Sequence, residues 1–167
     1  VDGDGYLDIV ESEKESELKV TRSAIGRTNM LKAVTNSLGG TFTLDYAHTA
    51  PTYGLPGGKW VMSSLTVDDG IHDDGPLMTT AFEYKDGKRD RHEREFLGFG
   101  EVITKNLDTE KENALYRKSV QKYDVSGYYT QGNLVNASVE DAAGKVYTER
   151  LPRLRYPLLC WEFLPLY

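Results

Sequence analysis

The fold of this chain is decided by one stretch, Gly39-Gly40-Thr41-Phe42-Thr43-Leu44-Asp45-Tyr46. After the glycine pair, apolar and polar side chains alternate, so that Phe42, Leu44 and Tyr46 face one way and the residues between them face the other. The preceding run, residues 30–34, favours a strand over a helical turn, because the glycine pair follows too soon for a helix of ordinary length. The stretch therefore predicts a β-hairpin with a Gly-Gly turn.

Comparable runs continue along the chain, and turn residues separate them. Strand-like runs cover residues 9–10, 18–25, 60–67, 78–84, 94–104, 116–123, 128–129, 134–139 and 145–148. Lys85-Asp86-Gly87-Lys88 has Asp-Gly turn chemistry, and residues 106–113 form a polar turn. We therefore expect an all-β chain of roughly nine to eleven antiparallel strands joined by hairpins.

Glycines and aromatic residues are expected to carry this fold. Glycines in or beside strands serve turns or close approach between strands: Gly39, Gly40, Gly87, Gly98 and Gly100. Aromatic residues at inward positions form the expected core: Phe42, Tyr46, Phe82, Phe96 and Phe99. In the run 94–104, alternation places Phe96 on one face and Phe99 on the other.

The composition of the 167 residues excludes several classes of protein. The net charge of −6 argues against a nucleic-acid partner, since phosphate binding needs a basic stripe. No run approaches the roughly 18 apolar residues needed to insert across a bilayer. The single cysteine, Cys160, excludes an intramolecular disulfide and a four-cysteine zinc site.

The first eight residues, Val-Asp-Gly-Asp-Gly-Tyr-Leu-Asp, have the spacing of a calcium loop that lacks its first ligand. Asp2, Asp4 and Asp8 with the carbonyl of Tyr6 would hold the cation, which offsets the repulsion between carboxylates. A turn that needs no metal remains the alternative for this loop. With no initiator methionine, we expect a fragment of a longer protein, in which calcium is the one expected cofactor.

Three motifs resemble segments of one protein family. Residues 26–46, which run from Gly-Arg-Thr-Asn-Met to Thr-Leu-Asp-Tyr, are similar to a segment of the B components (TcdB middle region) of bacterial insecticidal toxin complexes and of SpvB-type virulence proteins. Phe-Glu-Tyr-Lys-Asp-Gly at 82–87 and Arg-Glu-Phe-Leu-Gly-Phe-Gly at 94–100 resemble another hallmark of that group. The leading Asp loop resembles FG-GAP/VCBS blade repeats. The resemblance covers about residues 1–149.

The resemblance implies a place in an architecture. Residues 1–10 would end a β-propeller blade, residues 11–25 would be a charged linker leading into a strand, and residues 26–149 would form an Rhs/YD-like shell sheet. Residues 150–167 depart from the pattern, and their three prolines oppose both a helix and a central strand. The shell of such proteins encloses a toxic cargo, while the propeller docks to a translocation subunit.

A non-enzymatic shell segment of a secreted toxin is therefore the expected function. Its partners would be other segments of the same shell and propeller and the toxin translocation subunit, with no nucleic acid and no membrane insertion. The resemblance implies an extracellular protein and allows delivery into the host cytoplasm. The alternative is an Rhs/YD-type cell-surface module that binds carbohydrate or another cell through exposed tyrosines, namely Tyr116, Tyr123, Tyr128 and Tyr129.

For the remaining motifs we expect structural or incidental roles rather than functional ones. Glu93-Arg94-Glu95 and the glutamates of residues 11–17 match the Glu-x-Glu pair of ADP-ribosyltransferases, but Ser63-Ser64-Leu65-Thr66 does not supply the Ser-Thr-Ser strand that this activity needs. We expect surface charges there. His72-Asp73-Asp74 is expected to be a solvated turn, and Cys160 a buried or incidental thiol. Asn136-Ala137-Ser138 fits the glycosylation pattern, which matters only in a eukaryotic secretory route.

Overall fold

The computed structural model describes residues 6–24, 29–71 and 78–151. Ten strands are present in these ranges: β1 (Ile9–Lys14), β2 (Glu17–Thr21), β3 (Ala33–Thr35), β4 (Thr41–His48), β5 (Trp60–Asp68), β6 (Met78–Arg89), β7 (Phe96–Asp108), β8 (Ala114–Asp124), β9 (Asn133–Asp141) and β10 (Val146–Arg150). A 3-10 turn, Thr109–Lys111, joins β7 to β8. Within the described ranges no helix is long and apolar enough to cross a membrane. The all-β prediction is confirmed.

The strands form two antiparallel sheets. β1 and β2 make a separate hairpin, and β3 to β10 make one eight-stranded sheet in which each strand pairs with the next strand along the chain. Such a meander needs only hairpin connections, which is why turn residues recur throughout the sequence. In the described residues, β3 and β10 are the two edges of the large sheet.

The Gly-Gly hairpin is present, with one correction to its first strand. The strand begins at Ala33 rather than Met30, and Ala33 pairs with Thr43. Asn36 closes the turn, because its backbone N–H donates to the carbonyl of Gly40 at 2.8 Å and its side-chain Oδ1 accepts from the Gly40 N–H at 2.9 Å. Gly39 has φ of +94°, a conformation that only glycine adopts without strain.

The predicted turn at Asp86-Gly87 is wrong. β6 runs through this dipeptide, and Gly87 pairs with Phe99 of β7. Asp86 does take the left-handed conformation, with φ of +54°, but the ladder continues on both sides of it. The chain reverses instead at Asp90, whose N–H donates to the carbonyl of Glu95. The Asp90 carboxylate accepts from the backbone N–H groups of residues 92 and 93, which is Asx-turn chemistry.

Three further expectations about local structure are corrected. The charged run 11–17 is not a linker: residues 11–14 belong to β1, and only residues 15–16 form the turn to β2. Residues 128–129 are not a strand, because the Gln131 N–H donates to the carbonyl of Gly127 and closes a turn there. The polar turn expected at 106–113 begins later, since Asn106 still pairs with Arg117 of β8.

The expected aromatic core is also wrong. Phe42 is 41% exposed, and Tyr46, Phe82, Phe96 and Phe99 are only half-buried. The hydrophobic residues that are buried are Leu55, Leu97, Ile103 and Val120. A one-layer sheet explains the difference, because an aromatic side chain can be fully buried only where another layer covers it.

A register shift between Lys88 and Arg89 changes the predicted faces of β7. Lys88 pairs with Gly98, but Arg89 pairs with Phe96, so one extra residue lies on β7 at this point. Gly98 has φ of +107° at the same place. The rings of Phe96 and Phe99, predicted on opposite faces, consequently meet edge-to-face with centroids 5.3 Å apart.

The loop between β4 and β5, residues 49–59, folds over the β6–β7 hairpin. The carbonyl of Gly54 accepts from the N–H of Arg89 at 2.8 Å. Leu55 is only 4% exposed, and a Cβ placed on Gly87 would lie 2.8 Å from its Cδ2 and 2.9 Å from Phe99 Cε1. Gly87 is thus a position of close approach, as predicted, although it is not a turn residue.

Gly87→Ala should therefore destabilise the protein. The new methyl group overpacks the contact between Leu55 and Phe99, and we expect a loss of about 1–3 kcal/mol in the free energy of unfolding. Gly57→Ala is the matched control, because a Cβ there meets nothing within 4 Å. The control should be neutral or slightly stabilising, because alanine lowers the conformational entropy of the unfolded chain. Urea unfolding measures both variants, and equal stability of the two would refute the packing role of Gly87.

Candidate functional site

The two faces of the large sheet differ in chemistry. Directly paired residues of antiparallel strands point to the same face, so the register assigns each side chain. One face, here called the polar face, carries the charged residues Glu83, Lys85, Glu101, Lys105, Lys118, Lys122 and Glu140. The other, here called the apolar face, is apolar over β4 to β7, where it carries Phe42, Leu44, Leu65, Val67, Met78, Phe82, Tyr84 and Val102. Over β8 and β9 the same face is polar and includes Arg117, Gln121 and Asp141.

Ion pairs cross the strands of the polar face. Lys85 Nζ lies 2.8 Å from Glu101 Oε1, and Lys105 pairs with Glu83 in the opposite direction between the same two strands. Between β8 and β9, Lys118 Nζ lies 2.7 Å from Glu140 Oε2. Each of these pairs joins opposite charges on neighbouring strands and so supports their register, although Lys105 and Lys118 lie directly opposite each other between β7 and β8.

Two apolar residues lie among these charges. Ile103 of β7 pairs with Val120 of β8, and they are 5% and 8% exposed. They line one open cleft together with Lys85, Lys118 and the neighbouring polar side chains. Lysine side chains commonly lay their aliphatic stems over apolar surface while the ammonium stays in water, which accounts for buried residues on a charged face.

The ion pairs shift the pKa of their members. The hydrogen bond from Lys118 is the main cause that lowers the pKa of the Glu140 carboxyl, and Ser138 Oγ adds a weaker one at 3.3 Å. The hydrogen bond to Glu101 raises the pKa of the Lys85 ammonium, and the charge of Glu101 adds to it. Both shifts favour the charged forms that make the pairs.

The predicted calcium ligands are only partly described by the structure. Asp2 and Asp4 lie outside the described residues. Asp8 has a structural contact, because its Oδ1 accepts from the backbone N–H of Ser23 at 2.9 Å and so ties the chain before β1 to the chain after β2. Among the residues that can be described, no group of three or more His, Cys, Asp or Glu is positioned to hold a metal ion.

The other candidate residues are scattered. Glu93 and Glu95 lie in the exposed tip of the β6–β7 hairpin, while residues 63–66 lie within β5. The four tyrosines do not share one surface: Tyr116 and Tyr123 are on β8, whereas Tyr128 and Tyr129 are in the following turn. Residues 72–74 and Cys160 lie outside the described ranges.

One candidate modification site takes part in the sheet. Asn136 is in β9, and its Nδ2 donates to Glu149 Oε1 of β10 at 2.7 Å. The side-chain amide thus helps to hold the edge strand in place, which is a structural use of the Asn-Ala-Ser triplet.

The charged ladder was missed by sequence reasoning. Its members stand in different strands, and nothing in the spacing of the lysines and glutamates shows which of them become neighbours. The available signal was a charged residue two positions before and two positions after an apolar one, in Glu101, Ile103 and Lys105 and again in Lys118, Val120 and Lys122. That pattern marks one face of each strand but leaves the partner strand undefined.

Removing one lysine tests the ladder. In Lys118→Met, the Glu140 pKa should rise toward its ordinary value, because the hydrogen bond that lowers it is lost. A depressed carboxyl pKa adds stability above the unfolded-state pKa, and this stability disappears as the pH falls through the folded pKa. The variant should therefore lose less stability on acidification than the parent. Carboxyl-carbon NMR titration and unfolding at several pH values measure the two effects.

Lys122→Met is the control for this experiment. Lys122 lies on the same strand and face, but its partners are Glu101 of β7 and Asn136 of β9, so it does not face Glu140. The Glu140 pKa should stay depressed in this variant. If both variants leave the Glu140 titration unchanged, Lys118 does not set it.

Comparisons with known proteins agree with this architecture. The family model of the insecticide toxin TcdB middle/N-terminal region matches residues 1–150. No curated protein matches this chain. The fold is similar to that in crystal structures of TcdB2-TccC3 without its hypervariable C-terminal region (TM-score 0.54, 16% identity, 66% of this chain and 8% of that chain).

A second structure, TcdB2-TccC3-TEV, gives a TM-score of 0.59 at 14% identity over 80% of this chain and 10% of that chain. These identities show similarity of fold alone. Because the matches cover 8% and 10% of the other chains, this chain corresponds to a small part of the proteins whose structures it resembles. The resemblance to toxin-complex B components is confirmed by the family match over residues 1–150. The chain belongs to the family of the insecticide toxin TcdB middle/N-terminal region.

Proposed function

We propose that this chain is a wall segment of the β-strand shell of a secreted toxin component, and that the shell encloses a toxic cargo. The observation that carries the proposal is the one-layer sheet with a charged face and an apolar face. A wall between a protected interior and water needs two unlike surfaces, and this sheet supplies both from alternate residues of the same strands.

The apolar face supports this proposal because its exposed hydrophobic side chains would be buried by contact with another part of a shell. Among the described residues only four hydrophobic side chains are buried, while Phe42 of β4, Met78 of β6 and Val34 of β3 are 41%, 44% and 44% exposed. Exposed apolar patches of this kind mark surfaces that contact something else. In a shell, the apolar face would turn inward and the ion pairs of the polar face would meet water.

The edges of the sheet support an extended wall. β3 and β10 each have one neighbour in the described sheet, so each leaves backbone N–H and C=O groups available on its outer side. Further strands of the same protein would pair there. Asp8, at the N-terminal hairpin, would belong to the junction with a propeller of the FG-GAP/VCBS type.

Partners and location follow from the same proposal. The similar crystal structures contain TcdB2 with TccC3. We propose that this chain likewise works with another toxin-complex component and with a translocation subunit, outside the bacterial cell. We also propose that it is not catalytic, because its best-organised charged groups, the cross-strand lysines and glutamates, are engaged with one another.

Cysteine labelling of the intact protein tests the wall. In a Cys160→Ser background, Lys122→Cys places a thiol on the polar face and Met78→Cys places one on the apolar face. A bulky maleimide reagent should modify Lys122→Cys at least about tenfold faster, because the enclosed face excludes it. Both thiols should react equally after denaturation. Equally fast labelling of both in the native protein would contradict enclosure.

The carbohydrate-binding module remains the second candidate. Tyr129 is 94% exposed and meets Tyr128 edge-to-face, with centroids 5.3 Å apart, in the turn after β8. A sugar would stack on the exposed ring of Tyr129 rather than on a flat row of several tyrosines. A free-standing module would expose both faces of its sheet, so the labelling experiment separates it from a shell wall.

Calcium at the N-terminal loop stays a proposal, and Asp8→Asn tests it. The asparagine amide keeps an oxygen that can accept from the Ser23 N–H, but it removes the charge that a calcium ligand supplies. We expect weaker calcium binding by calorimetry in the full-length protein, with an unchanged melting temperature in chelator. Unchanged calcium affinity would show that Asp8 is not a ligand.

A further inference from the structure

A cationic cleft lies where the β4–β5 loop meets the end of the β6–β7 hairpin. Its volume is about 350 Å³, and Leu55 of the loop is its buried apolar member. Three rings line it, His48 of β4, Trp60 of β5 and Phe96 of β7. The His48 and Trp60 rings meet edge-to-face with centroids 5.3 Å apart. Lys59, Arg89 and Arg94 complete the lining.

The loop side of this cleft is held in place by backbone hydrogen bonds. The Thr49 N–H donates to the Lys59 carbonyl at 2.8 Å, and the Lys59 N–H donates to Thr49 Oγ1 at 2.9 Å. Gly58 is buried with φ of +57°, and a Cβ there would come within 2.4 Å of the Thr49 carbonyl oxygen. The cleft is thus formed before any ligand arrives, which lowers the entropic cost of binding.

The three cations of the cleft have no acidic partner in the described part of the chain. Lys59 Nζ lies 5.2 Å from the centroid of the Phe96 ring, and Arg89 Nη2 donates to the Arg94 carbonyl at 3.2 Å. None of the ion pairs among the described residues includes them. Three lysines of the polar face, by contrast, each pair with a glutamate, namely Lys85, Lys105 and Lys118.

This local positive charge stands out on a chain whose net charge is −6. Arginine guanidinium groups match carboxylates in a planar, two-bonded geometry, and the ring walls accept apolar groups beside the carboxylate. A small inorganic anion would leave the rings facing water. A polynucleotide would meet repulsion from the rest of the chain.

We propose that this cleft binds an acidic peptide segment that carries apolar side chains next to its carboxylates. The carboxylates lie against Arg89, Arg94 and Lys59, and the apolar side chains lie against Trp60 and Phe96. This site is independent of the wall role of the sheet, because it is built from the loop and the hairpin end. It gives the protein a means to hold an acidic segment of a partner chain.

The probe for this proposal is the acetylated, amidated peptide Leu-Glu-Leu-Glu-Leu, added to the full chain at low ionic strength. Binding is measured by calorimetry, and we expect it to weaken as salt is raised. The double variant Arg89→Gln with Arg94→Gln should bind at least about tenfold more weakly. Arg150→Gln, the same change on the distant edge strand β10, should bind like the parent. Thermal unfolding of each variant checks that the fold is kept.

Three results would overturn the proposal. The first is no detectable binding by the folded parent chain. The second is equal affinity for the matched peptide Leu-Gln-Leu-Gln-Leu, or equal affinity in the double variant. The third is displacement of the acidic peptide by inorganic phosphate at the peptide's own concentration, which would make the cleft a general anion site. Unequal labelling of the two sheet faces, as measured in the cysteine experiment, is unaffected by any of these results.

Discussion

The backbone ladder of the large sheet is the constraint on which the rest of the structure depends. Eight strands run in chain order, each hydrogen-bonded to the next, and the described residues place no second layer over them. Side-chain burial alone cannot hold such a sheet, since only four hydrophobic residues are buried. The ladder satisfies the backbone groups of the inner strands, and everything else in the fold either fixes its register or covers part of its surface.

Register is fixed by different means on the two faces. On the polar face, cross-strand pairs such as Lys118 with Glu140 stabilise the observed register, because a one-residue shift of a strand would move its charges to the opposite face and separate the pairs. Near the hairpin end, the loop residue Leu55 packs against Gly87 and Phe99. The absence of a side chain at Gly87 is what lets the loop approach, so the local cover depends on that glycine.

Alternation along the chain predicted most of the strands, whereas the local signals of turns and the shortest runs, such as residues 128–129, were less dependable. The stretch 41–46 alternates polar and apolar residues, the run 60–67 places Val61, Leu65 and Val67 at alternate positions, and both are strands. Asp86-Gly87 has the composition of a tight turn, yet the pairing of β6 with β7 on both sides outweighs it. The charged run at residues 11–14 is likewise a strand, because pairing with β2 compensates for its weak intrinsic preference.

Features that depend on contacts between distant residues could not be read from one sequence. The register shift that brings Phe96 against Phe99, the Lys–Glu ladder and the cationic cleft each join separate strands or loops. Burial could not be predicted for the same reason. The aromatic residues were expected to form a core, but the sequence does not show that the sheet has one layer. The Asp8 carboxylate was read as a metal ligand from its spacing, whereas its contact with Ser23 appears only in the folded hairpin.

Amide hydrogen exchange of the folded chain tests the central claim most directly. If the backbone ladder holds the sheet, amides of β6 and β7 should exchange most slowly, because these two strands lie at the centre of the eight and are farthest from both edges. Protection should fall toward the edge strands β3 and β10. Slowest exchange in an edge strand, or equal protection across all eight strands, would contradict the account.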